Sequence, residues 1–142
     1  MTTTTFSNQQ IILGGLLGGF FINLCDVLIT ITTVADAWNK VLLGQGIAFN
    51  PMTPPYYIAV SFMAGILLCW TIFTLSFRYE LNRQTALKAS FLLWGISRLY
   101  GMGHVVMGQM PLHIFGIMSL GLLLGFIVGG QVIFWYLNKK RA

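Results

Sequence analysis

Two charged side chains lie inside apolar stretches, and they are the first residues of this sequence that could do chemistry. Asp26 lies inside the first apolar stretch and Arg98 lies in the middle of a later one. A charge at membrane depth needs a partner, water or a protein interior. Counting along helices, Asp26 is about 22 Å and Arg98 about 18 Å from the same membrane face. We therefore expect a buried ion pair, with Asn23 one turn before Asp26 giving an extra hydrogen bond.

This predicted pair has two interpretations. A single neutralised pair fixes the register of two packed helices. Alternatively, the pair lines a path for protons or a ligand. A proton relay usually has more than two members, so the sequence favours the structural interpretation.

A second group of residues has the chemistry of metal ligands. His104, Met107, Met110 and His113 place an imidazole or a thioether at every third position. Thioether with imidazole suits copper, and two histidines at one depth suit haem. Chlorophyll needs one histidine and flanking aromatic rings, of which only Phe115 is near in sequence. A turn breaks the periodicity before His113, so we expect interfacial histidines and no bound cofactor, with haem, chlorophyll or copper as the alternatives.

The elements that position these residues follow from composition. The chain has 142 residues, of which 56% are hydrophobic and 8% charged, and its mean hydropathy is +0.79. This composition predicts an all-α integral membrane protein with one membrane domain, residues 1–142. A helix needs about 20 apolar residues to cross the hydrocarbon core. Four stretches are long enough: 11–33, 56–77, 86–107 and 112–137.

The connections predict how these spans are arranged. The last two connections are short, which favours an antiparallel bundle of four transmembrane helices. The long connection 34–55 contains an apolar run, 41–43, that is expected at the membrane interface. Thr85 is a candidate cap for the third helix, and Pro111 suits the first turn of the fourth.

The basic residues predict the orientation. Lys40 stands alone on one side, and the other side carries Arg78, Arg83, Lys88, Lys139, Lys140 and Arg141. The positive-inside rule places both termini in the cytoplasm. The net charge of +5 therefore reflects topology, and we expect no nucleic-acid partner.

Glycine ladders predict close helix packing. Glycines four residues apart allow a neighbouring helix to approach closely within lipid. The first span has two such pairs, and the last span has a second ladder. They are Gly14 with Gly18, Gly15 with Gly19, and the series Gly121, Gly125, Gly129.

The sequence carries no recognisable catalytic motif. HExxH, GxSxG and the P-loop pattern are absent, and no two carboxylates lie together in a span. Cys25 and Cys69 have no CxxC spacing and are expected to be small core residues.

One combination of motifs resembles a known group. It consists of Gly14-Gly15-x-x-Gly18-Gly19-x-x-x-Asn23-x-x-Asp26, then Arg78-Tyr79, Thr85-Ala86-Leu87-Lys88-Ala89 and Trp94. It is similar to a widespread group of small four-span bacterial membrane proteins of unknown function. The resemblance implies a bacterial inner-membrane or cyanobacterial thylakoid protein and supplies no activity.

These observations favour a non-catalytic function. We expect an accessory or assembly subunit that packs through its glycine faces against itself or within a larger membrane complex, bioenergetic or photosynthetic. Its partners are then membrane lipid and other membrane subunits. The alternatives are a cofactor-binding protein that uses His104 and His113, a proton- or ion-handling protein that uses Asp26 and Arg98, and a small homodimeric transporter.

Overall fold

Every regular element of the part of the chain that the structure describes is helical, which confirms the all-α prediction. The computed structural model describes residues 6–47 and 51–141. The helices are α1 (Asn8–Ile29), α2 (Ala35–Gly44), α3 (Thr53–Tyr79), α4 (Arg83–Val106) and α5 (Leu112–Arg141), and a π-helical segment, Thr30–Val34, joins α1 to α2.

Three helical stretches are long and apolar enough to cross a membrane. They are Asn8–Gly44, Thr53–Tyr79 and Leu112–Lys140. The chain is therefore consistent with an integral membrane protein. The predicted span 86–107 falls on α4, which is long enough but less apolar because it carries Arg98 and His104.

The first predicted connection is helical over much of its length. We expected the first span to end at Thr33, but the helix continues through the π-helical segment into α2. The Thr32 hydroxyl donates to the carbonyl of Leu28 at 2.7 Å, so this polar side chain is satisfied within the helix. The apolar run 41–43 lies in the last turn of α2, and Gly46, with φ +70°, follows the helix end.

The start of α4 corrects one prediction. Asn82, and not Thr85, is the N-cap, because α4 begins at Arg83 and the Asn82 side chain accepts from the Thr85 N–H at 2.9 Å. The Thr85 hydroxyl donates instead to the carbonyl of Glu80 at 2.7 Å, which closes the turn between α3 and α4. Pro111 lies just before α5 rather than in its first turn.

The long helices pack side by side around a common core. α1 packs on both α3 and α5, whereas α4 packs mainly on α5 and less on α3. Buried side chains of α3, α4 and α5 form much of this core, and they include Leu68, Cys69, Ile72, Ala86, Ala89, Ile133 and Leu137.

Candidate functional site

The first-span glycines form two adjacent faces, each taken by a different helix of the same chain. Gly14 and Gly18 face α5. A Cβ on Gly14 would lie 3.0 Å from Tyr136 Cδ1, and one on Gly18 would lie 2.8 Å from Ile133 Cγ1. The two ladders differ by one residue, or about 100° around a helix with 3.6 residues per turn, which is why they serve different neighbours.

The second face packs on α3. A Cβ on Gly19 would lie 2.7 Å from Phe62 Cα, and one on Gly65 of α3 would collide with the backbone of Gly15 and Gly19. Gly65 was not among the packing glycines predicted from the sequence. Ser61-x-x-x-Gly65 repeats the spacing of small residues that identified the other ladders, so this signal was present.

The glycines of α5 complete the contact with α1. A Cβ on Gly129 would lie 2.8 Å from the carbonyl oxygen of Gly18, and one on Gly125 would lie 3.1 Å from that of Ile22. Gly121 faces the Ile29 side chain at 2.9 Å. All of these ladders are therefore occupied by helices of this chain.

Asp26 and Arg98 approach one another without direct contact. Both side chains are partly buried, and their charges are close enough to interact electrostatically. However, no Arg98 nitrogen comes within 4.0 Å of an Asp26 oxygen, and the buried ion pair stays a prediction. The reason for this distance is that α1 and α4 both pack on α5 rather than closely on each other.

The surroundings of Arg98 show what holds it instead. Its guanidinium carbon lies 5.6 Å from the centroid of the Phe115 ring on α5, within cation–π range. Its Nε donates to the neighbouring Ser97 hydroxyl at 3.4 Å. One turn earlier, the Trp94 indole donates to the carbonyl of Ser119 at 2.9 Å. Arg98 is therefore directed toward the first turns of α5.

Asn23 does not provide the hydrogen bond that we expected for the charged pair. Its amide donates to the Ser61 hydroxyl at 3.4 Å, and that hydroxyl donates to the carbonyl of Tyr57 at 3.0 Å. Asn23 thus links α1 to α3, the helix against which it packs.

The four residues of the histidine and methionine series lie in different surroundings. His104 and Met110 both line a groove of about 300 Å³ between α2 and the α4–α5 turn, whereas His113 is exposed and does not line it. Met107 is 74% exposed. His104 Nδ1 lies 2.7 Å from Gln109 Oε1, and the Gln45 amide donates to the carbonyl of Gln109 at 2.8 Å.

The four residues of the series do not line one common groove, since only His104 and Met110 do so. Within residues 6–47 and 51–141, no three His, Cys, Asp or Glu side chains are grouped as metal ligands would be. The groove itself is an amphipathic surface between helices. Its lining consists of Trp38, Leu42, Gln45, Ile47, Tyr57, His104, Gln109 and Met110.

The fold and these contacts define a helical protein with long apolar helices and a charged pair among them. No protein-family model, curated protein or solved structure matches the chain. The resemblance seen in the sequence therefore stays a prediction.

Proposed function

We propose that this chain is a non-catalytic membrane protein with four spans, of which α4 is one, and that it works as a subunit of a homo-oligomer or of a larger membrane complex. The observation that carries the proposal is the incomplete burial of Asp26 and Arg98. Charges at this depth need cover. A neighbouring subunit would supply it.

The distribution of side chains on α4 supports its role as a span. Two polar side chains in its middle are directed inward: the Ser90 hydroxyl donates to the carbonyl of Phe126 at 2.8 Å, and the Trp94 indole donates to the carbonyl of Ser119. The exposed side chains at this level are apolar, as expected for a helix that faces lipid or another membrane protein, and they include Phe91, Leu92, Ile96 and Leu99. The low mean hydropathy of α4 thus arises partly from residues that do not face the membrane.

The surface that we propose for the partner is the outer half of α4, residues 96–106. Leu99, Tyr100 and Val106 are 80%, 83% and 82% exposed there. The glycine faces cannot serve this purpose, since helices of the chain itself fill them.

The test is the size of the assembly after gentle extraction. We expect the wild-type protein to migrate on a native gel well above its monomer size, and the bulky substitution Leu99→Trp to shift it toward the monomer. Leu120→Trp on α5 is the matched control, because Leu120 is also exposed, at 62%, but lies outside this surface. Migration of the wild-type protein as a monomer would overturn the proposal.

The same observation favours one alternative, in which water rather than protein covers the pair. Asp26 and Arg98 would then handle protons or small ions. In proteoliposomes with an enclosed pH-sensitive dye, this alternative requires a proton flux that Asp26→Asn abolishes. Asp36→Asn, at an exposed position on α2, should leave the flux unchanged. A flux equal in wild type and Asp26→Asn would exclude it.

A further inference from the structure

A cluster of cations around one aromatic ring lies at the end of the molecule where α3 ends and α4 begins. Lys88 Nζ is 4.4 Å from the centroid of the Tyr79 ring, and Arg78 Cζ is 5.7 Å from it. All three side chains are exposed. We call Arg78, Tyr79 and Lys88 the basic cluster.

The turn between α3 and α4 positions the cluster. Glu80 adopts φ +63° and ψ 156°, a positive-φ conformation that is uncommon for residues other than glycine, and the chain reverses after Tyr79. The Thr85 hydroxyl bond to Glu80 and the Asn82 cap hold this reversal. Lys88, in the second turn of α4, is thereby brought back over Tyr79. Two cations from different helices are thus held on one ring.

The positive charge of the cluster is not neutralised within the described chain. Neither Arg78 nor Lys88 has a carboxylate oxygen within 4.0 Å among the residues that the structure describes. Three more exposed cations lie at the same end: Arg83 at the start of α4, and Lys139 and Lys140 on α5. The Gln131 amide of α5 donates to the carbonyl of Arg83 at 3.3 Å, which joins the two helices there.

We propose that the basic cluster binds the phosphate of an anionic phospholipid headgroup. Phosphate accepts hydrogen bonds from guanidinium, ammonium and phenol groups, and charge-assisted bonds are the stronger ones. Tyrosine rings favour the membrane–water interface, the level at which headgroup phosphates lie. The proposal requires only that the chain is in a membrane, and it is independent of the subunit function and of the orientation.

The expected affinity follows from the charges. A basic residue near an anionic membrane surface strengthens binding about fivefold. Removing both cations should therefore weaken binding of phosphatidylglycerol about 25-fold, while binding of uncharged phosphatidylcholine stays almost unchanged.

The experiment compares two double variants of the full chain by native mass spectrometry, with phosphatidylglycerol or phosphatidylcholine added to the detergent. We expect the Arg78→Gln, Lys88→Gln variant to lose the preference for phosphatidylglycerol. The Lys139→Gln, Lys140→Gln variant loses the same charge at the same end and should keep most of it. An equal loss in both variants, or no loss in the first, would overturn the proposal.

A second arm identifies the source of the phosphate. Inorganic phosphate at the same concentration should not displace phosphatidylglycerol, since the lipid is also held by its apolar tails. Displacement would show a site for free phosphate and contradict the lipid proposal. Tyr79→Leu, which removes the ring that holds both cations, should weaken binding although every charge is retained.

Discussion

The contact between α1 and α3 allows a sharp test of the packing, the substitution Gly65→Ala. A Cβ on Gly65 would overlap the backbone of Gly15 and Gly19. These are backbone atoms, so no side-chain rotation can relieve the overlap, and the two helices must separate. Overpacking of this kind costs about 1–3 kcal/mol.

The matched control is Gly95→Ala on α4. No atom lies within 4 Å of a Cβ added there. Replacing a helical glycine by alanine stabilises a helix by about 0.5–1 kcal/mol, and this gain is common to both variants. The difference between the two free energies of unfolding therefore isolates the overlap, and we expect Gly65→Ala to be the less stable by about 1–3 kcal/mol.

The assay is reversible unfolding of the purified proteins in mixed micelles with increasing dodecyl sulfate, followed by circular dichroism. Helix content before the transition should be the same in all three proteins, which checks that the variants fold. Equal free energies of unfolding for Gly65→Ala and Gly95→Ala would refute the proposed close contact between α1 and α3.

Three further predictions concern the site and the helix ends. In the same unfolding assay, the double variant Asp26→Asn, Arg98→Met should lose about 0.5–1 kcal/mol less stability than the sum of the two single variants. If the two losses simply add, the charges do not interact. Asn82→Ala should destabilise the protein by about 1 kcal/mol because it removes the N-cap of α4. The control Asn39→Ala, at an exposed position on α2, should leave the stability unchanged. A larger loss for Asn39→Ala than for Asn82→Ala would contradict the capping role of Asn82. The purified protein should show no haem absorption by absorption spectroscopy, and by elemental analysis it should bind less than one copper ion per chain at His104. One copper ion per chain that is lost in the His104→Ala variant would contradict this expectation.

Much of the helical content could be predicted from the sequence, because a long apolar stretch that enters a membrane must satisfy its backbone hydrogen bonds internally, and a helix does this. Helix ends were harder. The helix continues past Thr33, where we expected the first span to end, and threonine hydroxyls that bond back to helix carbonyls allow polar residues there without a break in the helix. The α4 cap was placed three residues too late because both Asn82 and Thr85 have capping side chains.

The candidate site could be predicted only in its components. The approach of Asp26 and Arg98 to one another could be predicted from their positions along the helices, and so could the close packing at the glycines from their spacing. The helix that packs on each glycine face could not be predicted, because the spacing of the glycines indicates that a helix approaches closely but not which helix it is. The partner of Asn23 was also missed, since Ser61 is distant in sequence and adjacent only after α1 and α3 have packed.

The sequence by itself determined that this protein is helical and apolar and that two charges lie within its apolar helical stretches, because composition and periodicity are local properties of the chain. The tertiary structure alone decided that the glycine faces are filled from within and that Arg98 is directed toward Phe115. It also brought Lys88 back over Tyr79. Each of these outcomes depends on which helices are neighbours, and neighbours are chosen by the packing of the whole chain.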